Sequence, residues 1–194
     1  MKRIRVHWAA LLIPLTLLAA CGKSGGGTVV PPTPTSTPTP PPVSGIVGRV
    51  SASRIKDYSS IQQLRDESLA VTHITATDKQ TVEYVDNIPF TVTVATVDRV
   101  LRGALVEKRI KIRQLGDGKT TVEDAVPLLQ PGKAYVVFLQ QFTYGPGKET
   151  DQYVPVGGVG LYLDQAGVLQ RVDPHSSRLP ATLSPQELER QIAG

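Results

Sequence analysis

The chain has one cysteine in 194 residues, one methionine, one tryptophan and three phenylalanines. A lone cysteine excludes a disulfide framework and paired Cys-x-x-Cys metal or redox motifs. There is no His-Glu-x-x-His and no Gly-x-Ser-x-Gly, the signatures of common metalloproteases and α/β-hydrolases. No apolar run reaches the roughly 20 residues that span a bilayer as a helix. The longest, Trp8 to Ala20, has 13 residues and is interrupted by Pro14 and Thr16.

That short run has a specific context. Lys2, Arg3 and Arg5 precede it, and Leu18-Ala19-Ala20-Cys21 closes it. Charge, a short apolar segment and small residues form the layout of a secretory signal. Leu-Ala-Ala-Cys resembles the lipobox of bacterial lipoproteins. That resemblance implies cleavage before Cys21 and a diacylglycerol on its thiol, whose two acyl chains give the stable anchoring that a single chain does not supply. The alternative is an ordinary signal with a chance cysteine. Residues 1–20 are thus expected to be a signal peptide. The mature protein is expected on the extracytoplasmic face of a bacterial membrane, held by lipid at Cys21. Gly22 is not the aspartate that retains some lipoproteins at an inner membrane, so an outer membrane stays open.

Cleavage changes the charge. The full chain carries 21 basic and 17 acidic residues, a net +4. All three N-terminal cations leave with the signal, and the mature chain is nearly neutral. No global case for nucleic-acid binding remains.

Residues 21–44 have no apolar periodicity. Pro31 to Pro42 holds seven prolines, four threonines and a serine. This composition favours extended polyproline II, and at about 3.1 Å per residue the stretch reaches roughly 35–40 Å. It reads as a semi-rigid spacer; a PxxP ligand and a glycosylated stalk are the other readings.

Residues 45–194 are long enough for a single domain with its own core. The pattern is mostly strand. Leu69 to Thr77, Phe90 to Leu101 and Arg109 to Arg113 alternate, Gly45 to Ser51 alternates weakly, and Val168 to Val172 reads as a further strand. Tyr153 to Leu163 contains three glycines and predicts an irregular strand or hairpin. Tyr135-Val-Val-Phe-Leu139 is apolar on both parities, which predicts a central strand covered on both faces. Within Phe90 to Leu101 the apolar parity switches, a sign of a bulge or strong coiling. Ser60-Ile-Gln-Gln63 and Ser184-Pro-Gln-Glu187 are capping boxes, predicting helices at about 60–67 and 185–192. The expected fold is a small antiparallel β-barrel with one early and one C-terminal helix.

Three segments resemble netrin-like domains, which include the tissue inhibitors of metalloproteinases and many cysteine-poor bacterial surface proteins. They are Ser68 to Ile74, Thr91 to Gly103 with its V-x-x-V-x-[KR]-G pattern, and Leu128 to Leu139 with G-x-x-Y-x-x-F-L. The resemblance covers about residues 60 to 142 and implies an OB-like barrel. His73 stands where glycine is usual. The animal inhibitors place a free N-terminal cysteine on the protease zinc, within a disulfide framework. An acylated Cys21 and a disulfide-free domain do not carry that activity over.

Few residues point to chemistry. Gly118-Lys119-Thr120 lacks the leading glycine of a phosphate-binding loop, because position 113 is arginine, and reads as a turn. Asp117, Glu123 and Asp124 lack the ligand spacing of a calcium loop. The mature chain has two histidines, His73 in a strand and His175 in Asp173-Pro-His-Ser-Ser177. A catalytic set built on either is the enzyme alternative, a secreted hydrolase or metal-dependent enzyme. Arg109, Lys111 and Arg113 share one strand parity, with isoleucines on the other. They read as a solvated face or, functionally, as an anion-binding strip for headgroups, wall polymers or an acidic partner. The strand has no aromatic for base stacking, which discounts single-stranded nucleic acid. Phe142-Thr-Tyr144-Gly-Pro-Gly147 with Tyr153 reads as a hairpin loop or as a ligand loop. The leading expectation is a non-enzymatic binding or assembly module of the cell envelope, needing no cofactor or metal. A structural envelope protein with no small ligand is a further reading.

Overall fold

A computed structural model describes residues 50–51, 56–120, 122–123 and 125–194. The expected signal, Cys21, the expected spacer, most of the first expected strand and Asp124 lie outside the described residues. The elements, in chain order, are β1 (Val50–Ser51), α1 (Ile61–Glu67), β2 (Ala70–Val85), β3 (Ile88–Gly103), β4 (Arg109–Leu115), β5 (Val122–Glu123), β6 (Ala134–Thr143), β7 (Glu149–Pro155), β8 (Leu161–Gln165), β9 (Val168–Arg171), β10 (Thr182–Leu183) and α2 (Pro185–Ile192). The protein is mostly β, with two helices and a barrel-like sheet.

The barrel is a ring of five strands. β2 pairs with β3, β3 with β4, β4 with β7, β7 with β6, and β6 returns to β2. Every seam is antiparallel except β4–β7, which is parallel through Lys111↔Gln152 and Ile112↔Tyr153. The antiparallel expectation is corrected at that seam. Its cause is topological, since β6 lies between β4 and β7 in sequence and the chain re-enters from the same end. Counting the ring strands β2, β3, β4, β6 and β7 as first to fifth, their order around the ring is first, second, third, fifth, fourth and back to first, which makes the ring OB-like.

β6 joins the ring to a second layer. Its first half pairs with β8 through Tyr135↔Leu163 and Val137↔Leu161. Its second half pairs with β7 through Leu139↔Pro155 and Gln141↔Tyr153. β9 and β10 extend the sheet beyond β8. The double-sided apolar pattern of β6 now has a reason. Tyr135, Val137 and Leu139 enter the barrel interior with Ile74, Ala95, Ile110 and Ile112. Val136 and Phe138 face the other way, into a core made with Ile61, Leu64, Leu188 and Ile192 of the two helices. A strand burying both faces has no polar parity to show.

The coiling of β2 and β3 comes from bulges. In register, His73 pairs with Arg99 and Ile74 with Val97, which leaves Asp98 unpaired; Leu101 is skipped in the same way. Val97 packs in the barrel interior, whereas Leu101 packs on the helix side. Their shared sequence parity is broken by the extra residue at Asp98.

Both strands are longer than their apolar patterns. β2 continues past Thr77 to Val85, but Asp78 to Val82 are exposed, so no burial imposes alternation there. The hairpin turns at Asp86 and Asn87, with φ of 50° and 64°. Two consecutive left-handed residues are what a two-residue hairpin loop requires. α1 is capped by Ser60, whose hydroxyl accepts from the Gln63 N–H at 3.2 Å. The expected reciprocal bond shifts by one residue, because Gln63 Oε1 accepts from the Ser59 N–H at 2.8 Å. α2 starts as expected, with Ser184 accepting from the Glu187 N–H and Pro185 at its first position.

Candidate functional site

Arg109, Ile110, Lys111, Ile112 and Arg113 alternate as a strand must, and the isoleucines are buried. Their cations diverge. Arg109 is exposed, Lys111 is exposed and paired with Asp151, and Arg113 is only 2% exposed. The three therefore do not form a solvated strip. Arg113 stands at the end of β4, where β7 and β3 carry side chains over it.

Arg113 is buried among side chains from four strands. Its guanidinium lies over the ring of Phe90 of β3, with the centroid 4.2 Å from Cζ. The ring of Phe142 of β6 lies beside it at 4.6 Å. Nη1 donates to the Glu83 carboxylate and, at 3.1 Å, to Gln152 Oε1. Gln152 Nε2 in turn donates to Glu83 at 3.0 Å, closing a triangle. The opposite edge is different. Among the described residues, Nε and Nη2 of Arg113 are buried without a hydrogen-bond partner.

This arginine stands in the wall of a cleft of about 530 Å³. Phe90, Phe142, Val154, Pro155 and Val126 supply an apolar lining. At the far wall Tyr58 donates to Glu67 at 2.7 Å, and Lys56 pairs with the same carboxylate. The Lys56 and Tyr58 donors hold the Glu67 carboxyl below its usual range. Burial, then the Glu67 hydrogen bond and charge, push the Tyr58 hydroxyl well above its usual range, so it stays a donor. The volume lies within the range of small-ligand sites.

The other expected residues fall elsewhere. Phe142 lines the cleft, and its edge meets exposed Tyr144 with centroids 4.9 Å apart. Tyr153 is not part of that loop. It is 9% exposed and packs in the barrel interior, because its inward parity on β7 points it there.

His73 bridges two strands. Nδ1 lies 3.1 Å from Asp98 and Nε2 lies 3.0 Å from Asp164 of β8. The bulge at Asp98 presents that carboxylate, which also accepts from the Thr75 hydroxyl at 2.8 Å. A smaller recess of about 200 Å³ adjoins the histidine. Both ring nitrogens are committed to carboxylates, so neither is open to a substrate proton. His175 is exposed on a turn in which Asp173 accepts from the His175 N–H at 3.1 Å and from the Ser176 hydroxyl. Among the described residues, no group of three or more His, Cys, Asp or Glu is arranged to hold a metal ion. Asp117 closes its own turn, accepting from the Thr120 and Lys119 N–H groups, which hold its carboxyl below the usual range.

Sequence reasoning missed the cleft. Phe90, Glu83 and Gln152 come from three strands, and only the ring closure brings them to Arg113. One signal was present: Arg113 follows an exposed cation pattern, yet Gln114 and Leu115 after it break the strict alternation.

No protein-family model matches this chain, and no curated protein is significantly similar to it.

Proposed function

We propose that this is a lipid-anchored protein of a bacterial cell envelope, held at Cys21, whose OB-like barrel is a non-enzymatic binding module. The netrin-like order of motifs belongs to the same reading. The observation that carries the binding part is the apolar cleft with a buried arginine in its wall. Apolar concavities with a few convergent polar groups are the usual form of small-ligand sites. The enclosed His73 and the exposed His175 offer no nucleophile–base pair beside that cleft, which favours binding over catalysis.

Two measurements test it. Mass spectrometry of protein extracted from its native membrane is expected to show Cys21 as the first residue, carrying diacylglycerol. An unmodified thiol there overturns the anchoring. Ligand-observed NMR with a library of small amphiphiles is expected to find binders whose signals vanish when the cleft is filled by Ala125→Trp, Ala125 being one of its lining residues. No binders overturns the binding reading, and turnover of a bound compound supports the hydrolase alternative.

A further inference from the structure

The Arg113 side chain is buried, and among the described residues two of its three guanidinium nitrogens have no hydrogen-bond partner. Leaving a buried donor without a partner costs about 1–3 kcal/mol, and more for a charged group. The side chain is nonetheless held in place, by Glu83 and Gln152 at Nη1 and by the rings of Phe90 and Phe142 beside the guanidinium.

The geometry of what is left is specific. The rings of Phe90 and Phe142 lie against the guanidinium, with centroids 4.2 and 4.6 Å from Cζ. Nη1 is occupied, so the approach is to the edge that presents Nε–H and Nη2–H in parallel. That pair matches two oxygens of one planar anion. Charge selects further. The cleft walls already pair Lys56 with Glu67, and Glu83 opposes Arg113 from behind. One positive edge without net excess charge suits a monoanion better than a phosphate dianion. The lining of Phe90, Phe142, Val126, Val154 and Pro155 suits an apolar body.

Resting on the reading of the cleft as a binding site, we propose that it takes an amphiphilic monocarboxylate, whose carboxylate is received side-on by Nε and Nη2 of Arg113 while its apolar part fills the cleft. Nε and Nη2 are buried, so the carboxylate reaches them as a lining side chain moves, and half-buried Phe142, at the base of the hairpin turn Tyr144-Gly145-Pro146-Gly147, is the side chain that does.

The test uses the full chain in lipid nanodiscs. The probes are 4-phenylbutyrate and octanoate, each against its neutral primary amide, with 4-phenylbutyl phosphate as a third headgroup. Affinities come from NMR titration. Each acid is expected to bind about tenfold or more tightly than its amide, the ratio that one strong charge-assisted interaction supplies. Arg113→Lys, which keeps the charge and removes the fork, is expected to collapse that ratio. The acid-to-amide comparison in the unaltered protein stands even where that variant folds poorly. Equal binding of acid and amide, both lost in Ala125→Trp, overturns the carboxylate assignment and leaves the cleft as a binding site. Tighter binding of the phosphate overturns it in favour of a phosphorylated ligand. Absence of binding by every probe overturns this proposal, and an empty result from the wider amphiphile library then removes the binding reading as well.

Discussion

The guanidinium of Arg113 lies over the ring of Phe90, with Cζ 4.2 Å from the ring centroid, and among the described residues Glu83 is the carboxylate paired with it. A buried charge whose counter-ion is removed is strongly destabilising, because the desolvation cost is then unopposed. Glu83 is about a third exposed, which tempers the effect. Glu83→Ala is expected to cost about 2 kcal/mol in urea denaturation. Arg113→Met, which removes the charge and keeps the volume beside the rings, is expected to be milder. A larger loss for Arg113→Met than for Glu83→Ala would refute this account.

Gly103 ends β3 with φ of +85°, and a Cβ there would lie 2.3 Å from the Leu69 carbonyl oxygen. The obstacle is backbone, which cannot swing aside. Gly103→Ala is expected to cost at least about 2 kcal/mol, through the positive φ and the displaced entry of β2. Gly132 also has positive φ, at +75°, but nothing lies within 4 Å of its Cβ position. Gly132→Ala is expected to cost about 1 kcal/mol, from conformation alone. Chemical melts of both variants give the comparison, and equal losses would contradict it.

The pH dependence of stability has two limbs. Burial opposes ionisation of Asp164, but the Gly167 N–H and His73 outweigh it and hold the carboxyl below its usual range. A depressed carboxyl contributes stability that is present above the unfolded value near pH 4 and is lost as pH falls through the lower folded value. Burial raises the Tyr162 hydroxyl, with Arg171 opposing. That contribution is present below the unfolded value near pH 10 and is lost as pH rises above it. Thermal melts across pH are expected to fall off at both ends. Asp164→Asn is expected to soften the acid limb and leave the alkaline limb unchanged. An unaltered acid limb in that variant would show that the carboxyl has no such role.

Ser184 caps α2, whose Leu188 and Ile192 are buried against the β6 face. Ser184→Ala is expected to cost about 1 kcal/mol, and Ser184→Asp to retain most of the stability, since aspartate also accepts from the N–H at that position. Urea melts of both variants check this, and an aspartate as damaging as alanine would exclude capping as the cause.

The legible parts of the fold are those where burial imposes a period. β6 was readable because five consecutive apolar residues admit no exposed face. Ile110 and Ile112 were readable because one face of β4 is the barrel interior. Both helices were readable because Ser60 and Ser184 have a local function three residues ahead. The far half of the β2–β3 hairpin was not readable, since Asp78 to Val82 are exposed and carry no period. Asp86-Asn87, two residues tolerant of positive φ, was the available turn signal.

The sequence alone determined the strand and helix periods, the caps, and the parity of Arg113 on its strand, because each depends on neighbours a few residues away. It also carries the Leu18-Ala-Ala-Cys21 tetrapeptide and the proline-rich stretch from Pro31 to Pro42, which are legible from composition and order alone. Only the tertiary structure decided what surrounds Arg113. Phe90, Phe142, Glu83 and Gln152 belong to four different strands, and the closure of the ring brings them to one guanidinium. Parity tells which way a side chain points; what it meets there is set by the strands that close over it.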